Sequence, residues 1–265
     1  AQCFRPGHAD FTFTQKYGFR DYRGGGRSSG RETIARVAAG AVARKLLAEF
    51  GVDIYAYTQS IGPVTCQSFD RSYIQQNPLS MPDPNAYEKA ASFLEEQKRV
   101  LDSAGGIVCG VAEGVPAGLG EPVFDKLDAR FAQAMVSLGA VKGFEMGDGF
   151  AAAAHAGSEN NDPFTAIDGK IQKTSNHSGG VLGGISDGSS LFFRVAFKPT
   201  PSISRPQQTV SADGTPISLE IHGRHDPCIV PRAVVVVEAM TALVLADLLL
   251  ENAHQTLDRL KKAYS

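Results

Sequence analysis

Apolar residues recur at Ile34, Val37, Ala38, Ala41, Val42 and Leu46, the spacing of a helix with one buried face. Ala38 and Ala41, small residues on that stripe, predict close packing against a neighbour. Gly51 ends the helix, and DIYAYTQSIG (53–62) predicts a strand. Residues 62–86 are rich in Pro, Ser, Gln and Asn and read as a loop. A charged amphipathic helix is predicted over 87–103, ended by Gly105 and Gly106, followed by a strand in IVCGVAEGV (107–115). GVPAGLGEP is a Gly/Pro turn that leads to a helix over about 124–137 and a strand in VKGFEMG. The periodic signal weakens over 151–180, where SENNDPFTAIDGK is polar and turn-rich, and a mobile loop is expected at about 157–175. LFFRVAFK predicts a strand with an arginine inside it. TVSADGTPISLEI places Asp213-Gly214 between two alternating runs, a hairpin signal. A long helix follows from about 232 to at least 250. Helices and strands interleave but hairpins are present, so the expected class is α+β rather than purely parallel α/β.

At 265 residues and 43% hydrophobic, the chain suits one large domain or two small ones with a sizeable core. A formal charge of −2 leaves no global basic field that would attract nucleic acid. Cys3, Cys66, Cys109 and Cys228 are far apart, form no CxxC and show no Cys/His metal spacing. They read as reduced thiols of a cytoplasmic protein, and no metal site is expected. The most apolar run, 233–250, carries Glu238, Thr241 and Asp247 and reads as a core helix, with no membrane partner expected.

Three stretches hold candidate chemistry. In YRGGGRSSGRET, Ser29 and Glu32 fit a capping box. The stretch reads either as a well-made helix start or as an anion site, with backbone N–H groups, the permissive Gly24–Gly26, and the forked donors of Arg27 and Arg31. GxxxxGK[ST] is absent, so a nucleotide kinase is disfavoured. In TSNHSGGVLGGISDG (174–188), two glycine pairs read either as a tight turn or as backbone approached by a flat ligand. In HGRHDPC (222–228), Arg224, His225 and Asp226 read either as a solvated turn or as a proton-transfer pair beside an anion anchor. His8, in RPGHADF, reads by itself as structural, and His155 and His254 as surface residues. Together these residues point to an enzyme for a multiply anionic small molecule, without naming a reaction.

RPGHAD, GGGRSSGRET with RVAAG after it, GVPAGLGEPVFDKLDA, SNHSGGVLGGISDG, KPTPSI and GRHDPC occur in that order. The series resembles chorismate synthase over nearly the whole chain, from Phe4 to about Leu250. The resemblance implies a single-domain layered fold of antiparallel sheets and helices over 1–265, assembled as a homotetramer. It implies conversion of 5-enolpyruvylshikimate 3-phosphate into chorismate and phosphate, a 1,4-anti elimination that uses reduced FMN without net oxidation. NADPH is a candidate reductant of that flavin. Arg27, Ser28, Ser29, Gly139, Ala140, Gly183, Lys198, Pro199, Thr200, Pro201, Ser202 and Arg224 match the family's flavin contacts. Arg5, Arg31 and Arg224 match its substrate-side arginines. His8 matches the histidine that protonates the reduced flavin, Asp226 the aspartate beside flavin N5, and Ser29 a proton-relaying serine.

Two departures bear on activity. The family carries an upstream segment with a Gly-Glu-Ser-His-Gly motif, whose histidine acts toward the leaving phosphate. The sequence begins at Ala1 without it, so an amino-terminally truncated chain is expected, with weak or absent turnover on its own. Gly30 stands where the family commonly has alanine, weakening the helix start by up to ~1 kcal/mol. The competing expectation is a non-catalytic remnant that binds flavin or a phosphorylated metabolite, or only assembles with partner subunits.

Overall fold

Short polar caps, glycines and prolines set where the elements start and stop. The computed structural model describes residues 3–23, 25–221, 223 and 226–265, and for Arg27 and Lys170 the backbone alone. Its helices are α1 (Asp10–Tyr17), α2 (Thr33–Ala48), α3 (Pro84–Arg99), α4 (Leu127–Val136), α5 (Gly157–Asn160), α6 (Val230–Asn252) and α7 (Leu257–Ala263). The strands are β1 (Asp53–Ile61), β2 (Val64–Thr65), β3 (Gly106–Glu113), β4 (Val141–Met146), β5 (Phe164–Ile167), β6 (Lys170–Lys173), β7 (Val181–Leu182), β8 (Ile185–Ser186), β9 (Leu191–Phe197), β10 (Gln207–Val210) and β11 (Pro216–Leu219). One five-stranded sheet has the order β2-β1-β3-β9-β4, and β5-β6, β7-β8 and β10-β11 are antiparallel hairpins. The predicted α+β class holds. The segment expected to be a mobile loop contains α5 and the β5-β6 hairpin.

The chain divides into two units. The first comprises Ala1–Thr33, Thr58–Ile107 and Phe197–Pro231. In it, Asp83 caps α3 by accepting from the backbone N–H groups of Asn85 and Ala86 at 3.0 and 3.2 Å, with Pro84 at the first helical position. Its other oxygen accepts from Gln67 and Ser68 N–H, which fastens the preceding loop to the helix start. Burial alone would raise the Asp83 pKa, but these donors outweigh it and hold the group at about 2. The β10-β11 hairpin closes as foreseen at Asp213-Gly214, where Gly214 takes φ +88° and its N–H meets the Ser211 carbonyl.

The second unit comprises Ile34–Tyr57, Val108–Ala196 and Arg232–Ser265. Along β9, Leu191, Phe193 and Val195 are buried while Phe192, Arg194 and Ala196 are half-buried, the period of two that a sheet imposes. Arg194, the arginine inside the apolar run, thus points away from the core and pairs with Glu145 of β4 at 2.9 Å. Phe193 stacks on Phe131 of α4 with centroids 5.1 Å apart. α6 is long and apolar enough to cross a membrane. Yet Ala233, Val237, Ala242 and Leu245 are buried in this unit, and Glu238 accepts from Arg44 Nη1 and Ala56 N–H, both at 3.0 Å. It behaves as a core helix.

α2 corrects one expectation. Its buried residues are Gly40, Ala43 and Leu47, whereas Ile34, Val42 and Leu46 are exposed, as are Ala38 and Ala41. The apolar stripe chosen from spacing lies outward because the contact with α6 depends on closeness. A Cβ on Gly40 would stand 2.5 Å from Ala239 Cβ and 2.6 Å from its Cα. Gly40→Ala ordinarily favours a helix by about 1 kcal/mol. Here we expect the opposite sign, a loss of about 1–3 kcal/mol from overpacking, measured by urea denaturation. A stabilised variant would show that α2 and α6 separate freely.

Candidate functional site

In the first unit the RPGHAD segment is built around one ion pair. The Arg5 guanidinium donates two parallel hydrogen bonds to the Asp10 carboxylate, Nε to Oδ2 and Nη2 to Oδ1, both at 2.9 Å. The Arg5 backbone N–H adds a third at 3.0 Å, and Arg20 Nη1 lies 3.4 Å from the same carboxylate. The Arg5 hydrogen bond outweighs burial and lowers the Asp10 pKa to about 2. The four residues from Pro6 to Ala9 are thereby closed into a turn. Gly7 takes φ +68°, and a Cβ there would stand 2.8 Å from Pro201 Cβ, so this position needs glycine.

That turn presents His8. Its Nδ1 lies 2.9 Å from the Pro6 carbonyl, and its Nε2 lies 2.8 Å from Ser202 Oγ. A carbonyl can only accept, so Nδ1 carries the proton and Nε2 of the neutral ring accepts from the Ser202 hydroxyl. Burial is the main cause that lowers the His8 pKa, with Arg5 and Lys198 adding to it against the Pro6 carbonyl. Lys198 Nζ donates to the Gly7 carbonyl at 2.7 Å. Thus His8, Lys198, Pro201 and Ser202, called from two distant motifs, meet.

A turn that the sequence reading passed over organises the rest. Ser103 Oγ donates to the Thr200 carbonyl at 2.7 Å, Arg205 pairs with Asp102 at 2.8 Å, and Ala104 N–H donates to the Pro227 carbonyl at 2.7 Å. A Cβ on Gly105 would meet the Phe197 carbonyl at 2.3 Å and Pro199 Cδ at 3.0 Å. Residues 102–105 therefore hold the Lys198–Ser202 run and the residue that follows Asp226. Asp226 is half-buried. Thr200 Oγ1 is buried without a hydrogen-bond partner among the described residues, an orphan of the sort that a ligand satisfies.

In the glycine-rich stretch Ser29 stands at an N-cap, as its sequence implied. Ser29 Oγ accepts from Arg31 N–H at 3.4 Å and from Arg31 Nε at 3.1 Å. It therefore caps a short 3₁₀ turn (Gly30–Glu32) ahead of α2, where a capping box would have engaged Glu32 N–H. Ser28 Oγ donates to the Gly25 carbonyl. The Arg27 side chain, Arg224 and His225 lie outside the described residues.

Arg5, Arg20, Asp10, Cys3, Tyr22, Leu219, Glu220 and Ile221 line a cavity of about 230 Å³. Two arginines face two carboxylates there, so Arg5 is a charge already matched. The remaining predicted residues belong to the second unit. Gly139 and Ala140 form the turn between α4 and β4, with Ala140 at φ +73°. Gly183 and Gly184, at φ +61° and +85°, make the two-residue turn between β7 and β8. No atom of the described residues lies within 4 Å of where a Cβ would sit on Gly139 or Gly183.

A family model described as Chorismate synthase matches residues 1–250. A chorismate synthase from Lachnoclostridium phytofermentans is 59% identical over all of this chain and 73% of the relative's length. One from Chloroflexus aggregans is 56% identical over 94% of this chain and 69% of the relative. A crystal structure of chorismate synthase superposes with a TM-score of 0.78 at 34% identity, covering 97% of this chain and 74% of that one.

Two measurements test the electrostatics. The Asp10 pKa is depressed from 3.8 to about 2, so its stabilisation is present above pH 3.8 and lost as pH falls toward 2. Asp10→Asn should lose about 2 kcal/mol at pH 7 and flatten the acid limb of the stability curve in urea titrations. The depressed His8 pKa likewise contributes stability above pH 6.5, which is lost as pH falls through the lowered value. NMR of the imidazole should show a midpoint below 6.5, and a midpoint above it overturns the neutral-ring assignment.

Proposed function

Because the chain belongs to the chorismate synthase family, a family of lyases, we propose that it eliminates phosphate from 5-enolpyruvylshikimate 3-phosphate to give chorismate, with reduced FMN as cofactor. The observation that carries the site assignment is the meeting of His8, Lys198 and Ser202 beside Thr200, whose hydroxyl is buried and has no hydrogen-bond partner among the described residues. These residues fit a flavin. A reduced flavin held by these residues would supply transient electron density for the elimination, with no net change in its oxidation state.

The chain's own groups take the following parts. Within the first unit, Arg27, Ser28, Ser29, Lys198, Thr200, Ser202 and Arg224 hold the cofactor, and Gly139, Ala140 and Gly183 match further flavin contacts of the family. Arg5, Arg31 and Arg224 take the substrate's anionic groups, Arg5 while paired with Asp10. As the C–O bond to phosphate breaks and the C6–H bond gives up its electrons to the new double bond, the Asp226 carboxylate accepts the proton and Ser29 relays it. Fixed cations stabilise the charge gathering on the leaving phosphate, the more so in a site closed to water. His8 is neutral in the protein alone, and an anion seated beside it offsets burial and draws a proton onto Nε2. Assembly as a homotetramer belongs to the same reading, for which Ile34, Val42 and Leu46 offer an exposed apolar stripe on α2. A non-catalytic remnant is not favoured, since 59% identity runs over the whole chain.

The test supplies FMN under anaerobic reduction with substrate and follows chorismate absorbance and phosphate together. We expect the two products in equal amounts. Asp226→Ala should slow turnover by about 10²–10⁴-fold while keeping FMN affinity, and Lys198→Ala should weaken FMN binding by about tenfold or more. Phosphate without chorismate, or FMN affinity indifferent to Lys198→Ala and Thr200→Val, would overturn the assignment.

A further inference from the structure

Within the second unit, Asp148, His155 and His177 converge although no spacing in the sequence joins them. His177 Nδ1 lies 2.7 Å and His155 Nδ1 3.5 Å from the same oxygen, Asp148 Oδ2. All three ligand atoms fall within 4.8 Å of one another. The two rings stand edge to face at 82° with centroids 6.1 Å apart, so their Nδ1 atoms point into one space.

The backbone beneath is held independently of those side chains. Asp148 N–H donates to the His177 carbonyl at 2.9 Å. A Cβ on Gly147 would stand 2.1 Å from that carbonyl, and the residue takes φ +57°, so only glycine lets the two segments meet. His177 N–H donates to Asp162 Oδ1 at 2.8 Å. Asp162 is itself locked by Lys173 at 3.1 Å, and both side chains are 2% exposed. Arg194 Nη2 donates to the Asp148 carbonyl at 3.2 Å. His155 arrives at the end of the 3₁₀ turn Gly149–Ala154, which starts beside Asp148. Asp148 and His177 are thus pre-set, and the half-exposed His155 closes the third side.

We propose that Asp148, His155 and His177 form a binding site for a borderline divalent cation of the Zn²⁺ class, which nothing in the family assignment requires. Ligand atoms around tetrahedral Zn²⁺ sit about 3.3 Å apart on bonds of about 2.0–2.1 Å, and the two histidine–aspartate separations of 2.7 and 3.5 Å bracket that spacing. Two imidazoles and one carboxylate favour Zn²⁺, Ni²⁺ or Cu²⁺ over Mg²⁺ or Ca²⁺, which take mainly oxygen ligands. Exposure leaves room for water in the fourth position. Bound metal displaces the Asp148–His177 hydrogen bond and ties the 3₁₀ turn to the glycine-rich turn. Its role is a clamp between these two segments of the unit.

The experiment uses untagged, chelator-treated protein titrated with ZnCl₂ by calorimetry, with Co²⁺ absorbance as a second readout. We expect one Zn²⁺ per chain, a raised Tm with Zn²⁺, and the intense visible bands of four-coordinate Co²⁺. His155→Ala and His177→Ala should each weaken Zn²⁺ binding by about 10–100-fold or more. His155 is exposed and its variant should fold, as its Tm without metal reports. His254→Ala, far along the chain on an exposed backbone contact, should change nothing. Absent binding, binding unchanged in both variants, or displacement of Zn²⁺ by millimolar Mg²⁺ overturns the proposal.

Discussion

The fork between Arg5 and Asp10 is the contact on which the geometry around His8 depends. Four residues separate the partners, and two parallel hydrogen bonds leave the chain between them little choice of path. Pro6 supplies the carbonyl that sets the His8 tautomer, Gly7 bends at positive φ to pass Pro201, and His8 then reaches Ser202. Each residue of RPGHAD except Ala9 thus has a local physical reason. A salt bridge at a surface contributes little, but Asp10 is almost wholly buried, and its charge needs both Arg5 and Arg20 for company.

Periodicity located nearly every long element, because strand and helix periods are local properties. It erred where burial is decided by a partner. On α2 the eye follows Ile34, Val42 and Leu46, yet the buried edge runs through Gly40 and Ala43. A glycine carries no hydrophobic signal, and only Ala239 across the contact shows why it is there. β9 read correctly because Arg194 falls on the period of two and has Glu145 as a neighbour. The weak signal at 151–180 has a similar cause. Its order comes from side-chain hydrogen bonds, not from an apolar stripe: Asp162 accepts from Ser175, His177 and Ser178, and Lys173 bridges Asp162 and Asp187.

Site residues were legible as motifs but not as neighbours. The pairing of His8 with Ser202 spans 194 residues, and no local pattern encodes it. Ser103 falls at the end of the predicted helix and instead fastens the Lys198–Ser202 run at Thr200, while Ala104 beside it fastens Pro227. His155 looked like a surface residue because its companions, Asp148 and His177, are brought up by Gly147, whose own signature is only a glycine in a turn.

A common rule links these places. The chain carries a formal charge of only −2, and several of its cations are held by partners rather than gathered into a positive field. Arg5 is matched by Asp10, Lys198 by the Gly7 carbonyl, Lys173 by two aspartates. A cation held in this way gains less from an incoming anion than a bare one would, since an existing partner must share it. What it offers is position. Its side chain is already ordered, so the entropy of fixing it is not lost when a ligand binds. Donors that need no reorganisation stabilise developing charge most effectively at the moment it forms. An elimination in which charge accumulates on one departing group is served better by a few such fixed donors than by a broad cationic surface, which would bind substrate and product alike.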